Sequence, residues 1–352
     1  MKKVKALWDS AVKGKRDIGS RPALMTPEGV ISVFYYGFGN SGTLFRLHDL
    51  VTGEVKWEQD LSGTANRFAM HDTSHFYFPM MQGSGHYYSL DGCLQAEYRV
   101  GKANIWAMLP CTGNGNEDGA DDVIVNEIHG GASGVERIRV TDGQSQWRAE
   151  LGEVVKAPVN ADGVYYCATA GRIGDKFDFD APYQFLVYAL DEASGQLLWQ
   201  QQIDYYPLSS AIHGHMLFIG SRKRLVVLDR RSGQVERVLD LSHDNAGIYQ
   251  MIVADSRLFT LSEAGYLSVF NLDNLSFIAS EQLIDGKGQM AVQGGFVYLQ
   301  NPNGNVFEYD IETLTPLREF FVRKAKEASP SMMLAGDYLF VNSKSTFYCF
   351  KR

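Results

Sequence analysis

Leu47 to Leu61 reads LHDLVTGEVKWEQDL, and the same sentence returns along the chain. Ala189 to Ile203 reads ALDEASGQLLWQQQI, and Leu228 to Leu241 reads LDRRSGQVERVLDL. Looser copies are Val140 to Leu151, VTDGQSQWRAEL, and Tyr309 to Val322, YDIETLTPLREFFV; Phe270 to Leu283 and Ser89 to Val100 are looser still. Each copy is an apolar strand, a polar turn with Asp and Gly, then a second strand. Gly53 with Trp57, Gly143 with Trp147 and Gly195 with Trp199 share the spacing Gly-x-x-x-Trp. Glycine supplies the positive φ of a tight hairpin, Asp caps the turn, and tryptophan offers a large apolar face to a neighbouring sheet.

Upstream of each copy lies another hairpin, as in Val159–Ala168, VNADGVYYCA, and Ala291–Gln300, AVQGGFVYLQ. The unit is therefore four strands, a-b-c-d, and no segment carries a convincing helical period. Four-stranded units at a period of about 40–50 residues predict a β-propeller. Complete units end near Leu61, Val100, Leu151, Ile203, Leu241, Leu283 and Val322. The remainder, about 330–352, holds strands a, b and c only. The missing strand d is predicted in residues 3–13, with Trp8 at the tryptophan position. The expectation is one all-β domain over 1–352, an eight-bladed propeller of antiparallel blades whose last blade joins both chain ends; 352 residues over eight blades is 44 each. Such closure hides edge strands that invite aggregation.

These units resemble the PQQ-like repeats of eight-bladed propellers, over essentially the whole chain. That resemblance implies a fold more than an activity, because the superfamily holds quinoprotein dehydrogenases, assembly scaffolds of the BamB type and binders. Quinone (PQQ) chemistry is disfavoured: quinoprotein dehydrogenases are longer, exported and carry an adjacent cysteine pair. Cys93, Cys111, Cys167 and Cys349 are far apart, form no CxxC, and fit free thiols in a reducing compartment. No run approaches the ~18 consecutive apolar residues of a membrane helix, and the N-terminus lacks the apolar core of a signal peptide. The expected location is the cytoplasm. A net charge of −8 argues against nucleic acid, which needs a cationic surface.

In the third unit the a–b turn is replaced by Asn114-Gly-Asn116-Glu-Asp118-Gly119-Ala-Asp-Asp122 before the strand Val123-Ile124-Val125. Oxygen ligands at alternate positions wrap a hard cation, and the glycine permits the bend. The loop is similar to the calcium loop of FG-GAP and VCBS-type blades, with Asn in place of the commoner Asp at its first position. The resemblance implies Ca²⁺ on Asn114, Asn116, Asp118 and Asp122. The pairs His71/His75 and His213/His215 fall in a–b turns and read as polar turn residues rather than a zinc site.

The b–c loop of the fourth unit, Thr169 to Tyr183, is longer than its counterparts and interleaves charges with aromatics. Recognition concentrates on such loops. The b–c and d–a loops of a propeller emerge on one face, so Arg172, Lys176, Phe177 and Phe179 are expected to share a surface with Arg67, Trp106, Tyr205, Tyr206, His243 and Tyr249. Aromatic and Arg anchors are enriched in protein interfaces. The functional expectation is a non-enzymatic, monomeric scaffold that binds a protein or peptide. The alternatives are a carbohydrate-active lyase or glycosidase, marked by paired carboxylates at the channel mouth, and a small-molecule or quinone site.

Overall fold

The computed structural model describes residues 1–15, 18–37, 42–65, 68–100, 104–112, 122–129, 132–151, 154–172, 183–241, 246–322, 331–343 and 345–352. Among these there is no helix, hence none long and apolar enough to cross a membrane. The strands form eight separate antiparallel sheets, one per repeat. In blade 1 the order from the channel outward is Gly19–Thr26, Gly29–Tyr36, Gly42–His48 and Val55–Ser62. Blades 2 to 7 follow over 69–99, 104–150, 154–203, 209–240, 248–282 and 289–320. Blade 8 takes Ser331–Ala335, Tyr338–Ser343 and Thr346–Lys351 from the C-terminus and Trp8–Ala11 from the N-terminus.

Position in the blade explains the sequence pattern. Strands b and c lie between two neighbouring blades and are buried on both faces, so they read as apolar runs such as Val30-Ile31-Ser32-Val33-Phe34. Strand d has one solvated side and alternates, as in Val55-Lys56-Trp57-Glu58-Gln59. The buried residues divide into eight clusters, each shared by two successive blades. Cluster 8–1, for example, joins Phe340, Phe347 and Cys349 to Val30, Phe34 and Leu44. A blade buries neither face without its neighbours, so the core is a ring rather than a ball.

The repeat sentence becomes a joint between blades. In the c–d turn, Asp49 Oδ1 accepts the Thr52 N–H at 2.8 Å and its hydroxyl at 3.0 Å; Asp191 with Ser194, Asp229 with Ser232 and Asp310 with Thr313 repeat this. In the first three of these turns the next residue is the turn glycine, with the ring of the preceding blade lying on it; after Thr313 the place is taken by Leu314. Trp8 covers Gly53, Trp57 covers Gly92, Tyr98 covers Gly143, Trp147 covers Gly195 and Trp199 covers Gly233. A Cβ at Gly195 (φ +71°) would stand 2.5 Å from the Trp147 ring, so turn conformation and close approach both demand glycine. Each ring also donates to a backbone carbonyl of the next turn: Trp8 to Leu50 at 3.2 Å, Trp57 to Leu90 at 2.7 Å, Tyr98 to Val140 at 2.6 Å, Trp147 to Glu192 at 2.8 Å and Trp199 to Arg230 at 3.0 Å.

Around the channel, the innermost strands have unpaired edges whose backbone groups need partners. Side chains from the adjacent blade supply them. Ser210 Oγ donates to Ala157 O at 2.7 Å and Ser209 Oγ to Ile248 O at 2.7 Å. Gln250 donates to Met290 O at 2.7 Å and accepts its N–H at 2.8 Å. Gln289 accepts the Met332 N–H at 3.0 Å, and Ser331 Oγ donates to Arg21 O at 2.9 Å. These stitches run unbroken from blade 4 through blade 8 to blade 1.

One element exceeds the four-strand expectation. Lys2–Val4 pairs in parallel with Arg318–Phe320 as a fifth strand on the outside of blade 7. The N-terminal segment thus crosses the 7–8 joint before Trp8–Ala11 completes blade 8. The last residue works on the same joint: Arg352 Nε donates to the Tyr298 hydroxyl at 2.9 Å and Nη1 to Gly336 O at 2.9 Å.

Candidate functional site

The expected interaction face carries the b–c and d–a loops, which are tied together: Met81 N–H donates to Thr64 O at 2.7 Å, Leu241 N–H to Lys223 O at 2.9 Å and Glu263 N–H to Gly247 O at 2.9 Å. Of the residues assigned to this face, Arg67, Lys176, Phe177, Phe179 and His243 lie outside the described residues. Trp106 sits on the innermost strand Asn104–Pro110, and Arg172 ends the strand Val164–Arg172 that leads into the long loop.

The described residues place Tyr205 and Tyr206 beside the far stem of that loop. Tyr183, 55% exposed, stacks on Phe185 with centroids 6.2 Å apart. Phe185 in turn meets the edge of Tyr206, 36% exposed, at 5.7 Å. Tyr205 is half-buried against the 4–5 cluster, with the Arg224 guanidinium 5.7 Å over its ring. The result is an aromatic ladder, Tyr183–Phe185–Tyr206, rising from the joint core to solvent. Phe185 went unassigned in the sequence because it continues an apolar strand.

Tyr249 has a different role. Its hydroxyl accepts the Gly288 N–H at 2.7 Å and also contacts Gly288 O, fixing blade 6 to the entry of blade 7. Burial raises its phenol well above the usual range. Its ring stays available to cations, with Lys287 Nζ 4.8 Å from the centroid.

The structure adds Arg21, which nothing in the sequence marked. It lies on the innermost strand of blade 1. Its guanidinium sits 4.9 Å over the Tyr35 ring with Nη2 3.9 Å from Met81 Sδ, and its buried Nε has no hydrogen-bond partner among the described residues. Burial lowers its pKa, and among the described residues no carboxylate opposes that shift. With no counter-charge among the described residues, this half-buried cation favours an incoming anion.

On the opposite face, Asn114, Asn116 and Asp118 lie outside the described residues, whereas Asp122 opens the strand Asp122–His129. Asp122 is buried, and Oδ2 accepts from Arg137 Nε at 2.7 Å and Nη2 at 2.5 Å. The other stem is held as firmly: Thr112 N–H and Oγ1 donate to Glu192 Oε2 at 2.9 and 3.0 Å, and Asn160 donates to Oε1 at 2.7 Å. Cys111 beside it is pushed up to about 12 by burial, with Glu192 adding to the rise, so its thiol stays protonated. Among the described residues, no three His, Cys, Asp or Glu side chains converge as a metal site.

Solved structures with the same fold include BamB from Moraxella catarrhalis, 10% identical with a TM-score of 0.68, covering 99% of this chain and 100% of that one. Sqt1 from Saccharomyces cerevisiae is 10% identical with a TM-score of 0.77, covering 100% of both chains. The C-terminal WD40 domain of Sif2 is 13% identical with a TM-score of 0.70, covering 100% of this chain and 99% of that one. No curated protein matches the sequence. The family described as outer membrane protein assembly factor BamB matches residues 135–320, just over half the chain. With that match and the repeat joints it spans, the chain belongs to the BamB family.

Proposed function

We propose that this protein is a non-enzymatic interaction scaffold that offers its b–c/d–a face to a protein or peptide partner. The observation that carries this reading is the exposed ladder Tyr183–Phe185–Tyr206 at the root of the longest b–c loop. Stacked aromatics on a rigid blade give large contact area with little ordering entropy, as interface anchors do. Arg21 supplies a second anchor, suited to a carboxylate of the partner. The family's description as an assembly factor and the likeness to BamB and to WD40 propellers support the same reading. The test is capture from the native host with the double variant Tyr183→Ser/Tyr206→Ser. Retention of the partner should fall at least about tenfold, with the melting temperature held within about 2 °C. Full retention by the double variant sinks this placement of the interface.

The second reading is a structural Ca²⁺ ion in 114–122, supported by the oxygen spacing and by the two anchored stems. Arg137 already neutralises Asp122, which leaves Asp118 and the neighbouring Glu117 and Asp121 as the charge of the loop. Fewer free carboxylates mean weaker binding, in the millimolar range of weak calcium modules, ~10⁻⁴–10⁻³ M. Millimolar CaCl₂ should therefore raise the melting temperature of the purified protein by a few degrees, and excess EGTA should reverse it. No shift with CaCl₂, or an equal shift with MgCl₂, rejects the calcium reading.

A further inference from the structure

Joints 5–6 and 6–7 both lack the indole and the turn glycine; at joint 6–7, with Ala279 and Leu314 (φ 53°) in those places, Arg257 Nη1 donates instead to the freed carbonyl, Ile311 O, at 3.1 Å, whereas joint 5–6 is left open. At joints 8–1, 1–2, 3–4 and 4–5 an indole fills the wedge between strand d of one blade and the c–d turn of the next. At joint 5–6 the tryptophan position holds Arg237, exposed and donating to Asn274 O at 3.0 Å. The turn-glycine position holds Leu275, in the left-handed region at φ 57°. The two changes belong together, because an indole on this turn would lie where the Leu275 Cβ now stands.

Removing both halves of the lock leaves a cavity of about 440 Å³ on the face of the a–b and c–d turns. Its lining includes His213, His215, Glu236, Leu272, Asp273 and Leu275. The adjacent wedges are crossed by ion pairs, Arg230 with Asp162 at joint 4–5 and Arg257 with Glu312 at 2.6 Å at joint 6–7. At joint 5–6 His215 turns instead to Glu236, 3.8 Å away on its own blade. The carbonyl of Leu272 is the counterpart of those that accept from Trp8, Trp57, Trp147 and Trp199. Among the described residues no donor reaches it. The volume lies in the range of small-ligand sites, ~300–1,000 Å³.

The geometry points to a receptor for a tryptophan side chain of another protein. The incoming ring lies on Leu272 and Leu275, displaced outward from the plane used at the other joints. Its N–H meets the Leu272 carbonyl, and the His213 and His215 rings flank it. The occupant is inferred from the fold's own usage: four equivalent wedges in this molecule are filled by an indole that donates to the same backbone position. This site is on the face opposite the Tyr183 ladder and stands or falls independently of it.

The test uses the purified full chain and N-acetyl-tryptophanamide, followed by the imidazole proton resonances of its eight histidines. The expected result is saturable, millimolar ring-current shifts confined to His213 and His215. N-acetyl-phenylalaninamide, which has no ring N–H, should bind at least about fivefold more weakly, the loss of one hydrogen bond. The double variant Arg237→Trp/Leu275→Gly, which removes the Leu275 Cβ from the path of the indole, should abolish the shifts by covering the wedge. It should also raise the melting temperature by restoring the joint present at the four indole-filled wedges. Free indole binding as tightly as N-acetyl-tryptophanamide would assign the site to a small aromatic metabolite instead and overturn the protein partner. Absent or unsaturable shifts, equal shifts with N-acetyl-leucinamide, or unchanged shifts in Arg237→Trp/Leu275→Gly overturn the receptor itself.

Discussion

Deleting residues 1–11 is expected to abolish cooperative folding. Those residues supply the fifth strand of blade 7 and the outer strand of blade 8, which pairs Trp8 with Cys349 and Ala11 with Thr346. Trp8 stacks on His48 at 5.5 Å and meets Phe347 edge-on at 5.7 Å. Its loss also uncovers Phe347 and Cys349, both fully buried in the intact ring. Trp8→Ala alone should cost about 3 kcal/mol, near the lower end for a large aromatic because the ring is half-buried. The deletion adds two strand pairings and an unprotected edge, a sum comparable with the ~5–15 kcal/mol that stabilises a typical domain. Urea denaturation should show a lowered midpoint for Trp8→Ala and no cooperative transition for the deletion. A peptide of residues 1–15 added in trans should restore part of the transition in proportion to its concentration. A deletion variant that melts within about 2 °C of the intact chain would show that the ring does not depend on this closure.

Acidification should weaken the same joint well before the surface carboxylates respond. His48 is fully buried, with Nε2 2.8 Å from Ser32 Oγ and Nδ1 3.3 Å from Gly53 O. A carbonyl only accepts, so Nδ1 carries the proton and Nε2 accepts from the serine hydroxyl, which satisfies the neutral ring. Burial pushes its pKa from 6.5 to about 4; the Gly53 carbonyl opposes this in part, and Arg46 adds to the lowering. The unfolded chain therefore takes up a proton near pH 6.5 that the folded chain refuses until about pH 4. The stabilisation is complete above pH 6.5, declines as the pH falls, and is lost below about pH 4, a total of about 3 kcal/mol. His86, also pushed down by burial, acts in the same direction. The turn aspartates, Asp49, Asp191, Asp229 and Asp310, are held below their usual 3.8 by hydrogen bonds within the turn, so their contribution disappears only at lower pH. The urea midpoint should fall between about pH 7 and pH 4.5, and His48→Gln should flatten most of that slope. A pH-independent midpoint over this range would remove His48 from the account.

Much of the architecture was legible because its signals are local. The turn chemistry of Asp49 to Gly53 repeats with its own hydrogen bonds and positive φ, and each strand's burial follows from its place in the a-b-c-d order. Trp8 could be assigned to an outer strand of the last blade from its neighbours in sequence alone, and the structure places it there, over Gly53. The parallel fifth strand was not legible: three residues, Lys2–Val4, carry no pattern that names blade 7 as their partner.

The candidate sites divide along the same line. The long fourth loop pointed to the right neighbourhood, since Tyr205 and Tyr206 do gather beside its stem. Which aromatics stand exposed there, and that Tyr249 is committed to Gly288, depended on how blades meet. The isolation of Arg21 among the described residues and the wedge under Arg237 were likewise invisible in one dimension. An absent partner is a statement about everything nearby in space, and residues such as His213, Arg237 and Leu275 become neighbours only when two blades pack. The sequence by itself determined the repeat, the blade number and the joints, because hydrogen-bonded turns and strand periodicity are properties of adjacent residues. The tertiary structure decided where the ring is left unfilled and uncompensated, because cavities and unpaired charges arise from packing between units that lie some 40 residues apart.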